Sequence, residues 1–177
     1  MTAASRTDTV LLRYLYRFWN AARSGRAMPL RSEIDLLRVP GLLPKLMLIE
    51  VSETGEGPRF RYSMLGTELV QRLGRDVTGR YVDESLEGEH RNFMLGLYGE
   101  AWRTRQPAMA ASEYISANEV AFTCQRLVLP LSDDGVAVSH LLGIQVFLPG
   151  APGMTKLQFR DHSIHNVRIT RVGGAPA

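Results

Sequence analysis

The side chains able to do chemistry in this chain are few and scattered. Cys124 is the single cysteine. It lies midway along an apolar, strand-like run with no local activating pattern, and reads as a small hydrophobe rather than a nucleophile. His162 and His165 stand at i, i+3 in a polar tail. Two imidazoles hold a metal weakly, and no carboxylate or thiol constellation completes a site there. His140 shares alternating parity with Val138, Leu142, Ile144 and Val146, as a half-buried structural histidine would; buried in part, it would titrate near neutrality. His90 falls near the start of a long helix, on or beside the stripe of Met94, Leu97 and Ala101. There a neutral imidazole can ligate iron. With Glu87 and Glu89 it can equally form a solvated first turn, where carboxylates favour the helix N-terminus. Asp76, Asp83 and Glu84 gather on a connector and read as solvated acids. Arg126 is the odd residue, sharing parity with Phe122, Cys124 and Val128 in an otherwise apolar strand. If that face lines a cavity, the guanidinium can hold the carboxylate of a ligand. Otherwise the strand parity shifts, or the side chain reaches out at the strand end.

Enzyme signatures are missing: no Gly-x-Ser-x-Gly, no His-Glu-x-x-His, no phosphate loop and no dinucleotide fingerprint. A non-catalytic role is expected. The 177 residues carry 21 basic and 18 acidic side chains, a net charge of +3. The arginines are spread from Arg6 to Arg171 without a block of five, so no nucleic-acid partner is expected. A single cysteine forms no intrachain disulfide, which fits a reducing cytoplasm. No secretory pattern stands at the N-terminus, and no apolar run approaches the ~20 residues that cross a bilayer. A cytoplasmic location without a membrane span is expected.

Periodicity supplies the elements that must position these residues. Leu11, Leu12, Leu15, Phe18, Trp19 and Ala22 recur at helical spacing from Thr9, and Gly25 ends that amphipathic helix. Pro29, Pro40 and Pro44 then allow only single turns, an ordered connector held to the core by Ile34, Leu37 and Leu42. Lys45 to Val51 and Arg59 to Leu65 form a hairpin, the second strand alternating Phe60, Tyr62 and Met64 against Arg59, Arg61 and Ser63. A short helix covers Thr67 to Leu73, and a turn follows at Gly79. Glu89 to Arg105 is the longest internal helix, with Phe93, Met94, Leu97, Tyr98, Ala101 and Trp102 on one stripe. Strands follow over about 109–116, 121–131 and 138–148, with Ser132-Asp-Asp-Gly135 as a hairpin turn. This order predicts an α+β fold, one five-stranded antiparallel sheet with helices on one face. The organisation is an N-terminal amphipathic helix (1–28), a core domain (29–150) and a polar, loosely ordered tail (151–177).

Three stretches carry a family resemblance: Pro29 to Asp35 running to Leu42-Leu-Pro44; Phe60 to Thr67 continuing to Gly74-Arg-Asp-Val-Thr-Gly79; and Leu129 to Gly135 with Leu141-Leu-Gly143. Together the chain resembles the PAS superfamily, and more narrowly the single-domain PAS proteins of alphaproteobacteria, a family of largely unknown function. The resemblance implies a PAS fold and a cytoplasmic sensing, signal-transducing or interaction role. It brings no catalytic residue and names no ligand, because fold does not fix function. Light-sensing flavin PAS domains need a cysteine on a short helix in a Gly-Arg-Asn-Cys-Arg-Phe-like motif. Here the nearest place reads Gly74-Arg-Asp-Val-Thr-Gly, with no thiol, so flavin is not expected. Haem-binding PAS sensors carry a proximal histidine on the long helix; His90 is the residue that would serve.

A PAS pocket lies between the sheet and its helices. The expected contributors are Tyr62, Met64, Phe93, Met94, Leu97, Phe122, Cys124, Arg126, Leu142 and Ile144, around a small apolar or carboxylate ligand. The same side chains would fill the core of a scaffold-type interaction domain with no ligand at all. Leu11, Leu12, Leu15, Phe18 and Trp19 are the expected homodimer interface, or else cover the sheet's open face. A signalling protein is the further partner expected of a domain with no output module of its own.

Overall fold

The computed structural model describes the backbone of residues 3–115, 121–148 and 163–171, with side chains over 10–112 and 123–148. The elements run α1 (Ala3–Ala22), β1 (Leu46–Thr54), β2 (Gly57–Leu65), α2 (Thr67–Leu73), α3 (Val82–Ser85), α4 (Gly88–Thr104), β3 (Ala108–Ile115), β4 (Ala121–Leu131), β5 (His140–Leu148) and β6 (Ser163–Arg171). All strands join one antiparallel sheet in the order β2-β1-β5-β4-β3-β6. The helical segment between β2 and β3 lets the chain cross the sheet, so that β5 returns beside β1 at its centre. This is the expected α+β, PAS-type arrangement. One addition departs from expectation. Residues 163–171 pair with β3 as a sixth strand, where a loosely ordered tail was expected. The Ile-, Val- and Thr-containing run suits a strand, and the outer edge of β3 offers its backbone groups for pairing.

Antiparallel partners share a face, so the register sorts the side chains. Met47, Ile49, Tyr62, Cys124, Arg126, Gly143, Gln145 and Phe147 lie on the side of α2, α3 and α4. Leu46, Leu48, Leu127, Leu129, Leu142, Ile144 and Val146 lie on the other. There α1 crosses β5 and β4, closing the face with Leu12, Leu15 and Trp19. The indole Nε1 of Trp19 donates to the Pro130 carbonyl at 2.8 Å, which satisfies its polar atom inside the core. α1 therefore covers the face that the other helices leave open, the alternative stated for it. Of the residues expected at a homodimer interface, Leu12, Leu15 and Trp19 are 4%, 0% and 1% exposed within the single chain. Leu11 and Phe18 are only half-buried. The outer face of the sheet is apolar along its length and needs a cover, and each large side chain buried there contributes roughly 1.5–3 kcal/mol.

From α1 the chain passes through 3-10 turns at Arg31–Glu33, Leu36–Arg38 and Pro40–Lys45. Their three-residue period aligns Leu36, Val39 and Leu42 toward the core. Leu37, expected there, is 78% exposed, and Val39 takes its place at 2%. The connector is tied to the β4–β5 hairpin by backbone bonds, Arg31 N to Ser132 O at 2.7 Å and Ser132 N to Pro29 O at 3.1 Å. The hairpin turn is held by the Asp134 carboxylate, which accepts from Val136 N and Ala137 N. Those bonds pull its pKa down to about 2.

Gly66 ends β2 where the chain must pass against the connector. Its φ of −66° suits any residue, so space decides. A Cβ there would lie 2.3 Å from the Leu43 carbonyl oxygen and 2.4 Å from that of Pro44. Both are backbone atoms fixed by the 3-10 turn. Gly66→Ala is expected to cost roughly 2–3 kcal/mol, read as a lowered denaturation midpoint, whereas Gly41→Ala, with nothing within 4 Å, should leave the midpoint nearly unchanged.

Candidate functional site

The interior between the sheet and the helices of the β2–β3 segment is the candidate site. β1 and β5 supply its floor, β2 one side, α4 the roof, and α2 with the segment after α3 the mouth. A cavity of about 40 Å³ remains, lined by Met47, Tyr62, Leu65, Leu69, Leu73, Leu86, His90, Met94, Tyr98, Gln145 and Phe147. That is room for about two or three waters, against the roughly 300–1,000 Å³ of an ordinary ligand pocket. Around it the packing is specific. The Tyr98 hydroxyl donates to Met47 Sδ at 3.2 Å, and its ring meets Phe60 at 5.6 Å between centroids. Gly143 lets Met47 lie across β5, because a Cβ there would stand 2.7 Å from Met47 Cγ. At the mouth, Arg72 stacks over Phe147 at 4.1 Å and pairs with Glu68, which also binds Lys45.

One strand away, Arg126 stands directly opposite Gln145 and is 1% exposed. Its Nη1 donates to Ser112 Oγ at 2.6 Å, and the guanidinium lies 5.2 Å from the centre of the Phe93 ring. Arginine stays charged at any ordinary pH, so a permanent cation sits inside this domain. The strand does not let it escape to solvent: Arg126 is mid-strand, flanked by Cys124 and Val128 on the same face and roofed by α4. Burial pushes the Cys124 thiol up, opposed by the Arg126 charge. Burial likewise pushes Tyr62 up to about 12, although its hydrogen bond with Tyr98 and the Arg126 charge act the other way.

The residues expected in the pocket divide by face. Tyr62 and Met94 line the cavity. Phe93, Leu97, Cys124 and Arg126 are buried in the same layer. Leu142 and Ile144 are not there; they face α1, and Gln145 and Phe147 hold the β5 positions instead. Residues 141–147 are all buried, so both parities of β5 look alike in sequence. Met64 also falls on the far face. Ile49 pairs with Tyr62 but Leu48 pairs with Met64, so β2 bulges at Ser63 and Leu65 replaces Met64 at the cavity. The Phe122 side chain lies outside the described residues. His90, read as either an inward ligand or a solvated first turn, is half-buried and lines the cavity. The space beside it is far below what a haem occupies. His140 lies on the α1 face, half-buried, with Nδ1 at 3.0 Å from Ser139 Oγ, and burial lowers its pKa. Asp83 and Glu84 are engaged by Arg59, which also stacks on Tyr81. Among the described residues no three His, Cys, Asp or Glu side chains converge as a metal site.

An antiparallel sheet roofed by short helices and one long helix, around a small apolar interior, is the arrangement expected of a PAS-type domain. A family model for a PAS domain matches residues 8–146, and the chain belongs to the PAS domain family. It is thus a sensory or regulatory domain, of a kind that mediates dimerisation or partner binding. No curated protein matches the chain. Among the described residues no helix is long and apolar enough to cross a membrane.

Tyr62 makes the interior's dryness measurable. Its folded pKa of about 12 lies above the ~10 of a free tyrosine. Between those values the unfolded chain releases a proton that the folded one keeps, so stability is full below about pH 10 and falls as pH rises toward 12. The slope from this group approaches about 1.4 kcal/mol per pH unit. Urea unfolding between about pH 9 and pH 11.5 should show the decline in the wild type and a shallower one in Tyr62→Phe; equal slopes would mean that the hydroxyl is hydrated.

Proposed function

We propose that the chain is a cytoplasmic PAS sensor that takes a small, largely apolar carboxylate between α4 and the sheet and signals by contact through α1. The observation that carries this reading is Arg126, a cation 1% exposed on the helix side of the sheet and held by Ser112 and Phe93. A buried charge stabilises a fold poorly, and apolar replacements of similar size are often neutral or better. An inward arginine opposite Gln145 and near Tyr62 is suited to orienting a carboxylate whose tail contacts Met47, Met94 and Leu69. The volume of about 40 Å³ describes the closed state. Entry requires α2 to leave Phe147, where Arg72 and the Lys45–Glu68 pair hold it. The ligand shifts that equilibrium only by its preference for the open form. The outlet is mechanical: β4 and β5 carry Arg126 and Gln145 on one side and the α1 contacts, including the Trp19–Pro130 bond, on the other.

A second reading is favoured by the same small volume. The interior is already filled, and the domain acts as an interaction scaffold without a ligand. A haem sensor using His90 has less support, since the cavity offers no slot for a macrocycle. Thermal unfolding with a panel of short-chain carboxylates, and with the matching alcohols and amides, separates the first two. At about 100-fold excess over Kd a true ligand adds about 2.7 kcal/mol, or roughly 5–10 °C. We expect some carboxylate to do so, its alcohol not to, and Arg126→Met to lose the distinction. A flat response across the panel, with no small molecule seen by native mass spectrometry of the purified chain, would establish the scaffold instead.

A further inference from the structure

The outer side of α1 carries a second surface, independent of the interior. α1 covers β5 and β4 but leaves a groove beside it, above β3 and β4. Leu12 and Tyr16 form its wall, Met109, Ala111 and Leu127 its floor, and Arg13 its rim. The groove measures about 280 Å³, several times the interior cavity. Its apolar character continues onto the helix top, where Val10 is 55% and Tyr14 51% exposed, with Met109 at 39% on the floor. Isolated exposed apolar residues are ordinary, but a groove with a contiguous apolar rim marks an interaction site.

Charge selects the occupant. Along α1 the sequence has Arg6, Arg13 and Arg17 against one acidic residue, Asp8, and Arg23 follows directly after the helix. Arg23 is used locally, bonded to Asn20 and placed over Trp19. Arg13 and Arg17 are exposed and make no ion pair among the described residues. At i, i+4 they repel each other by a few tenths of a kcal/mol, a cost that an acidic neighbour would reverse. A second copy docking its own α1 here would bring the same arginines to the interface, and like charges opposed across an interface are penalised. A groove running beside a helix accepts another helix at roughly 8–10 Å. We propose that this surface docks an acidic amphipathic helix of a different protein, its apolar residues seated between Tyr16 and Met109 and its carboxylates on Arg13 and Arg17.

The test uses the full chain and two labelled synthetic helical peptides that share one leucine stripe, flanked by glutamates in one and by lysines in the other. Fluorescence anisotropy should show the glutamate peptide binding roughly tenfold or more tighter than the lysine peptide, with the preference weakening in high salt. Arg13→Glu with Arg17→Glu should reverse the preference, and Met109→Asp should weaken both peptides. If the double variant fails to fold by circular dichroism, Arg17→Glu alone, fully on the surface, should narrow the preference. Equal binding of the peptides, no binding, or a preference untouched by the arginine variants overturns the proposal. So do a dimer in light scattering that Tyr14→Glu dissociates, which assigns the face to a second copy, and tighter binding to phosphatidylglycerol vesicles than to either peptide, which assigns it to a lipid surface.

Discussion

Water must be kept from both faces of a single sheet, and on the outer face that task falls to one helix. Leu127, Leu129, Leu142, Ile144 and Val146 form an apolar layer on that face, and α1 packs across it. α1 meets it with Leu12, Leu15 and Trp19, and the indole is locked by its bond to Pro130. The connector after α1 then fastens to the β4–β5 hairpin at Ser132. The helix is thus both part of the core and the most direct route from the sheet to the surface. A displacement of β4 or β5 cannot leave α1 unmoved, since close-packed cores transmit strain rather than absorb it.

The inner face obeys a different balance. Its side chains are mostly apolar, yet Arg126 brings a full charge within it, close enough to Tyr62 and Cys124 to act against the effect of burial on both. Desolvating a guanidinium is costly, and the bond to Ser112 and the ring of Phe93 are among the contacts that offset that cost. The small cavity has α2 at its mouth, with Glu68 of that helix paired to Lys45 and Arg72, while Leu69 and Leu73 line the space within.

The two apolar surfaces differ in what they can recognise. The interior is enclosed and suits a molecule of limited size. The groove beside α1 is open, larger, and has Arg13 at its rim. Since α1 borders the groove and also covers the sheet, one helix touches both the core and that open surface.

Much of the architecture was legible in the amino-acid order. Period-two runs, the Gly66 and Gly79 breaks, the Ser132–Gly135 turn and the stripe from Phe93 to Ala101 mark each element of the PAS core and its type, because local periodicity and turn chemistry act over a few residues. Which way the side chains point was less legible. β5 is apolar at every position from Leu141 to Phe147 apart from Gly143 and Gln145, so alternation cannot say which set faces α4. The Ser63 bulge, which exchanges Met64 for Leu65, depends on pairing with β1 and leaves no mark in β2 itself. The fate of Leu12, Leu15 and Trp19 was likewise open, and residues 163–171, expected in a loosely ordered tail, pair with β3 instead. Sequence thus determined the elements and their order, through forces local along the chain. Tertiary structure alone decided which face each residue serves, because register and helix docking are set by hydrogen bonds and burial between segments far apart in sequence.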